Sequence, residues 1–245
     1  MSASLPMYDT AMTRAANDRF WQLIRTSLGF GPLRLDRSTD PWDLWRAPDL
    51  LFSQTCGLPY RTELRDLVTL IGTPDYGLPD CPPGYYRSVI VVRRNDRRTA
   101  LADFAGARLA RNDIRSQSGW AALEAHLQES GAGFSFSDNV DTTGSHAASA
   151  QAVLDRRADL AALDAVTWAE LKKAQASMDG LRVLCKTRPT PGLPFITAKA
   201  RDPKSITVAV SAAIQGLPEA DRRKLMLKGL VQIPASAYLA EPVPA

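Results

Sequence analysis

The chain has 245 residues, 45% of them hydrophobic, with 30 Lys and Arg against 26 Asp and Glu. That length suits two compact domains or one large one, and no run of 18 apolar residues offers a membrane span. The charge excess is too thin and too scattered for the basic stripe of a nucleic-acid binder. The densest runs, Arg93-Arg94 with Arg97-Arg98 and Arg222-Arg223-Lys224, stand beside Asp96 and Asp221 and read as solvated surface.

Taken in chain order, "MSASLPMYDTAMTRAANDRFW" lacks a charged start followed by an apolar core, so it is no secretory signal. The chain is expected in the cytoplasm as written, and in the periplasm if a leader has been removed or missed. "SLPMY" reads as a strand, and residues 11–28, with Phe20, Trp21, Leu23, Ile24 and Leu28, as a helix. "PLRLD", "DLLFSQT" and "LVTLIGTP" read as strands. "YYRSVIVVRR" is the strongest strand, with Val89, Ile90, Val91 and Val92 in one run. A strand–helix repeat follows: "ARLAR", helix 118–129, "FSFSD", helix 145–157, "ADLAAL", helix 167–176. "LRVLCKT" and "PFITAKA" add two strands. A last helix over "PKSITVAVSAAIQGL" puts Ile206, Val210, Ala213 and Leu217 on one face. The alternation predicts an α/β protein with largely parallel sheets flanked by helices.

Two Pro- and Gly-rich stretches, residues 76–88 and 186–194, read as domain crossings. They predict a discontinuous lobe, 1–86 with 190–245, and an inserted lobe, 87–189. Two lobes joined in this way can close like a jaw. A single α/β domain with two proline-rich loops is the alternative. Cys56, Cys81 and Cys185 are an odd count at wide spacing, without a CxxC or Cys/His cluster. No zinc site or other metal site is expected, and buried free thiols fit best.

In open α/β sheets, ligands collect beyond the carboxyl ends of the strands. The residues there are Tyr8 and Asp9; Ser53, Gln54, Thr55 and Cys56; Ser116, Gln117, Ser118 and Gly119; Thr142 to His146; and Asp164. This set is rich in hydroxyls and amides and poor in cations, which suits a dehydrated anion held by neutral donors and helix termini. In "RNDIRSQSGWAALEAHL", Trp120, Leu123 and Leu127 mark one helix face, so Ser116-Gln117-Ser118 occupy the turn that opens the helix. That turn can cap the helix or cradle an anion. "TTGSHAASAQAVL" poses the same choice, with Ser145 and His146 at a second helix start. Asp164 either accepts a hydrogen bond from an anion that keeps a proton or caps helix 167–176 at the surface. There is no GxSxG elbow around Ser145-His146, no GxxxxGK[ST] and no GxGxxG after a strand, so hydrolase and nucleotide chemistry have no support.

With these residues assembled, the chain resembles the phosphate/phosphonate-binding family of ABC-transporter solute receptors, which have the type II periplasmic binding-protein fold. The likeness runs from "LPMYD" through "DLLFSQT", "GYYRSVIVVRR", "NDIRSQSGW" and "GSHAASAQAVLDRRADLAALD" to "TPGLPF". The family's S-[ST]-S-G-like turn matches Ser116-Gln117-Ser118-Gly119, its [ST]-H pair matches Ser145-His146, and its tyrosine before the crossing strand matches Tyr85. The resemblance implies that these elements hold phosphoryl oxygens. Gln117 departs from the usual hydroxyl. Relatives that accept aminoalkylphosphonates carry acids where this chain has Val166 and Leu193, so the likeness points to phosphate, phosphite or a phosphonate without an amino group. It implies no cofactor and no catalysis. The implied partners are a small anion and an ABC permease, the chain being a monomer with no nucleic acid and no membrane insertion. The alternatives are a cytosolic ligand sensor and an enzyme on the same scaffold, similar to thiamin-precursor synthases.

Overall fold

The computed structural model describes residues 1–244; Ala245 lies outside the described residues. Along the chain the elements are β1 (Ser2–Ala3), α1 (Arg14–Leu28), α2 (Pro41–Arg46), β2 (Leu50–Gln54), α3 (Gly57–Pro59) and β3 (Val68–Asp75). Next come β4 (Tyr85–Tyr86), β5 (Ser88–Arg93), β6 (Leu109–Arg111), α4 (Ala122–Glu129), β7 (Val140–Thr142) and α5 (His146–Leu154). Then follow β8 (Leu160–Asp164), α6 (Ala165–Ala174), β9 (Leu181–Lys186), β10 (Thr190–Pro191) and β11 (Phe195–Ala198). The chain finishes with α7 (Lys204–Gly216), α8 (Glu219–Lys224), β12 (Gly229–Val231) and α9 (Ala235–Leu239).

These elements form two compact units, Met1–Tyr85 with Pro191–Glu241, and Tyr86–Thr190 with residues 242–244. The chain passes between units within β4 and β10, which pair with each other. The tail was expected in the first lobe, and its contacts group it with the second unit instead.

The first unit carries a five-stranded sheet in the order β1-β2-β11-β3-β12. Strands β1 and β2 are parallel, β11 runs against β2 and β3, and β12 runs against β3. The sheet is therefore mixed, with β1, β2 and β3 pointing one way. On it sits an aromatic cluster in which Trp21 stacks on Phe52 at 5.9 Å and Phe195 meets Phe52 at 5.0 Å between ring centroids. Helix α1 buries Phe20, Trp21 and Ile24 along one stripe, as the 3.6-residue period requires, and packs on α7. Another cluster joins Trp45, Tyr60, Val68, Ile196 and Tyr238.

The second unit carries a five-stranded sheet in the order β7-β6-β8-β5-β9. Strands β7, β6 and β8 are parallel, and β5 runs against β8 and β9. Strand β5 shows why its sequence is continuously apolar. Val89 and Val91 face a core built with Ala150 and Val153 of α5, while Ile90 and Val92 face one built with Trp120, Leu123 and Leu127. A strand covered on both faces has no polar side to alternate with.

Three expected strands differ from the structure. The paired residues, Ser2 and Ala3, precede "SLPMY"; within that stretch Ser4 N–H bonds to the Phe52 carbonyl, and Pro6 has no N–H with which to continue the ladder. "PLRLD" is a loop tied to α1 by Trp21 Nε1 and Gln22 Nε2, which donate to the Pro32 and Leu33 carbonyls. In "FSFSD" the alternation buries Phe136 against the α4 side of the core, edge-on to Phe134 at 5.3 Å, while the sheet position beside β6 goes to β7. The Arg93–Arg98 run is likewise not simple solvated surface. Arg93 donates to the Val153 and Ala158 carbonyls and, with Arg98, to Asp159; Arg98 also holds the Asp96 carboxyl down to about 2.

Candidate functional site

In the second unit the three parallel strands β7, β6 and β8 end at one edge, and the antiparallel β5 begins there, with Ser88 opposite Asp164. At that edge Ser116 caps the turn Gln117–Ala121, accepting the Gly119 N–H at 2.9 Å. Ala121 N–H bonds back five residues to the Ser116 carbonyl, which makes this turn a π-turn. The wider loop leaves one more amide outside the helical ladder than an α-turn does. Ser145 caps α5 in the same manner, accepting the Ala148 N–H at 3.1 Å. Both serines therefore cap, and capping fixes the very amides that an anion cradle needs.

The contact that joins the two helix starts is Ser118 Oγ to His146 Nε2, at 3.0 Å. Behind it, Ser88 Oγ donates to the Ser118 carbonyl at 2.8 Å, and Ser88 N–H donates to Thr187 Oγ1 at 3.0 Å. Ser116, Gln117 and Ser118 are buried, His146 is half-buried and Ser145 is exposed. Asp164 caps α6, one of the two roles open to it, but from a buried position and not at the surface. Its Oδ1 accepts the Val166 and Thr167 amides at 2.7 and 3.1 Å. Val166 itself is buried.

Two groups here titrate far from their usual range. Burial lowers the His146 imidazole to about 4, with the Ala162 carbonyl opposing, so the ring is neutral at pH 7. Nδ1 makes no hydrogen bond of good geometry. Burial, and then the charge of Asp164, raise the Glu170 carboxyl to about 7. The guanidinium at the end of β6 is turned aside, for Arg111 lies over the Trp120 ring at 4.7 Å and donates to Thr142 Oγ1. Hydroxyls, helix amides and a neutral imidazole suit a bound anion.

In the first unit β1, β2 and β3 also end together. Tyr8 and Tyr76 meet edge to face at 5.2 Å. Gln54 Nε2 donates to Tyr76 Oη at 2.9 Å and to the Leu193 carbonyl at 3.0 Å, so both amide hydrogens are used inside the unit. Thr55 is fully buried, and its Oγ1 has no hydrogen-bond partner among the described residues. Tyr85 packs against the cluster around Tyr60 and Tyr238. The structure thus gathers Ser116, Gln117, Ser118, Ser145, His146 and Asp164 in one unit, and Tyr8, Gln54 and Thr55 in the other.

Sequence reasoning missed Tyr76, Ser88 and Thr187. Tyr76 was within reach, because it follows β3 just as Gln54 and Thr55 close β2. Ser88 was not, because it opens an antiparallel strand and the carboxyl-end rule looks at the opposite terminus. Cys56, Cys81 and Cys185 are half-buried, where buried thiols were expected. Among the described residues, no group of three His, Cys, Asp or Glu could hold a metal ion, and no helix is long and apolar enough to cross a membrane.

Two units, each an open sheet flanked by helices with polar groups gathered at its strand ends, define the fold of the periplasmic binding proteins. Residues 62–236 match the family described as ABC transporter, phosphonate, periplasmic substrate-binding protein, and the chain belongs to that family. Among solved structures it is similar to PhnD1 of Prochlorococcus marinus in complex with methylphosphonate, with 16% identity, 97% of this chain and 93% of that one covered, and a TM-score of 0.74. It is also similar to a binding-protein component of an ABC phosphonate transporter from Pseudomonas aeruginosa, with 14% identity, 98% and 82% covered, and a TM-score of 0.73. A Xanthomonas citri protein bound to chloride shows 16% identity, 97% and 92% covered, and a TM-score of 0.71. No curated protein matches the sequence.

Proposed function

We propose that the chain is a non-enzymatic solute receptor that captures a small phosphoryl-type oxyanion (phosphate, phosphite or a phosphonate without an amino group) for an ABC uptake system. The observation that carries this reading is the 3.0 Å contact between Ser118 and His146, which brings two capped helix starts to one place. Helix N-termini with fixed hydroxyls stabilise a bound anion without a counter-cation. In this reading Ser116, Gln117, Ser118, Ser145 and His146 face the phosphoryl oxygens, and Asp164 favours a ligand that keeps a proton. Tyr8, Gln54, Thr55 and Tyr85 of the first unit belong to the proposed ligand-binding set; of these, Thr55 brings an unpaired buried hydroxyl. Val166 and Leu193 are apolar and buried, so an ammonium beside them would lack a partner. The proposed partners are the small anion and a membrane permease, with the receptor itself a monomer.

Calorimetric titration of the purified protein with methylphosphonate, phosphite, phosphate and 2-aminoethylphosphonate tests this reading. Micromolar binding of at least one of the first three, and weaker binding of the amino compound, is expected. If none of the first three binds, the reading fails.

A further inference from the structure

The loop after β6 contains a residue that no motif singled out. Asn112 follows Arg111, and its backbone carbonyl accepts the Gly144 N–H at 3.0 Å, while the Arg111 carbonyl accepts the Thr143 N–H at 2.9 Å. These bonds lash the segment that opens α5 onto the segment that leads to Ser116. The Asn112 side chain turns toward the other helix start. Its Oδ1 is buried without a hydrogen-bond partner among the described residues, and a Cβ placed on Gly119 would overlap that oxygen and lie 3.1 Å from Ser116 Oγ. The absent side chain of Gly119 is therefore filled by the amide of Asn112, within the same turn that Ser116 caps.

A buried amide oxygen with no donor costs free energy, and in this turn that oxygen sits against the glycine whose N–H is the Ser116 capping bond. We infer that Asn112 is a positioning residue for the anion cradle: its amide, wedged against Gly119, sets the Ser116–Gly119 turn, while its carbonyl sets the loop that delivers His146. Gly119 is the matching part, since any side chain there would displace the wedge. The inference rests on the proposed anion site for its role in binding, but the packing of Asn112 against Gly119 can be read without a ligand.

The test is a double-mutant cycle on the full chain with Gly119→Ala, Asn112→Ala and the pair together. Each variant is read by methylphosphonate titration, by its thermal midpoint, and in the ligand-free protein by the NMR shifts of the His146 ring protons. Gly119→Ala is expected to weaken binding by about thirtyfold and to move the His146 resonances. Asn112→Ala is expected to weaken it by about tenfold, with little change in midpoint. The double variant should return to within about threefold of Asn112→Ala, because neighbours that share one contact are not additive. A double variant as impaired as Gly119→Ala, or an Asn112→Ala variant that binds like the parent, overturns the inference. Should Gly119→Ala fail to fold, recovery of folding in the double variant supports the wedge, and no recovery overturns it. If methylphosphonate does not bind the parent protein, the proposed function fails on its own, while the midpoints and His146 shifts still decide whether Asn112 and Gly119 are coupled.

Discussion

The polar edges of the two units are built by different means. In the second unit the serine hydroxyls of this edge are tied to neighbours: Ser116 to Gly119, Ser145 to Ala148, Ser118 to His146, and Ser88 to Ser118, with the Ser88 amide on Thr187. In the first unit two tyrosines meet edge to face, an amide spends both hydrogens internally, and a buried threonine hydroxyl is left without a partner. The difference teaches that pre-organisation and vacancy are separate properties. The second unit's edge holds its hydroxyls in place, as the proposed anion requires, while the first unit's edge offers aromatic surface and the unsatisfied Thr55 hydroxyl.

The comparison breaks most visibly at Ser118. On the proposed reading Ser118→Ala removes one hydrogen bond to an ionised ligand, worth about 1.5–3 kcal/mol, so methylphosphonate affinity measured by calorimetry is expected to fall by about tenfold to a hundredfold. Equal affinity in the variant and the parent would refute the role of this edge.

Next in size are two opposing pH effects, both in the second unit. The His146 pKa is lowered from 6.5 to about 4, so the unfolded chain takes up a proton before the folded one does. The stability contribution of the neutral ring is complete above 6.5 and is lost as pH falls from there toward 4. Glu170 is raised from 4.5 to about 7, so its contribution is present below 4.5 and is lost as pH rises toward 7. Each amounts to about 1–3 kcal/mol, discounted because both groups are partly exposed. Urea midpoints between pH 4 and 7.5 should rise more steeply with pH in Glu170→Gln than in the parent, and less steeply in His146→Asn. Unchanged slopes in both variants would remove the electrostatic contrast.

The smallest effect on stability is expected in the first unit. Thr55→Val replaces an unpaired buried hydroxyl with a methyl of the same shape, which is nearly neutral or stabilising, so the thermal midpoint should stay or rise. Methylphosphonate affinity should nonetheless fall by about tenfold. If affinity is kept as well, Thr55 is only a packing residue.

Much of the fold could be read from periodicity. The apolar run Val89–Val92 lies in a strand buried on both faces, and the spacing of Trp120, Leu123 and Leu127 puts all three in one core. Alternation misled at "FSFSD", where Phe136 anchors a loop, because a buried–exposed pattern reports which side chains face the core and not which backbone finds a ladder. At the candidate site, strand-end chemistry singles out Ser118 and His146, but nothing local could pair them across 28 positions. Strand direction hid Ser88, since an antiparallel crossing strand reverses which terminus arrives at the edge, whereas Thr187, just beyond the carboxyl end of β9, lay within reach of the strand-end rule.

The π-turn at Gln117–Ala121 means that chain length as well as chemistry is being specified there. Such a loop amounts to one surplus residue in an otherwise regular winding. Excising a single position, Gln117 for instance, would let the winding tighten and swing everything after it by about 100°. Trp120 would then leave its slot among the core residues. A deletion in this segment would therefore act as a rotation, and libraries that vary only residue identity would never sample it.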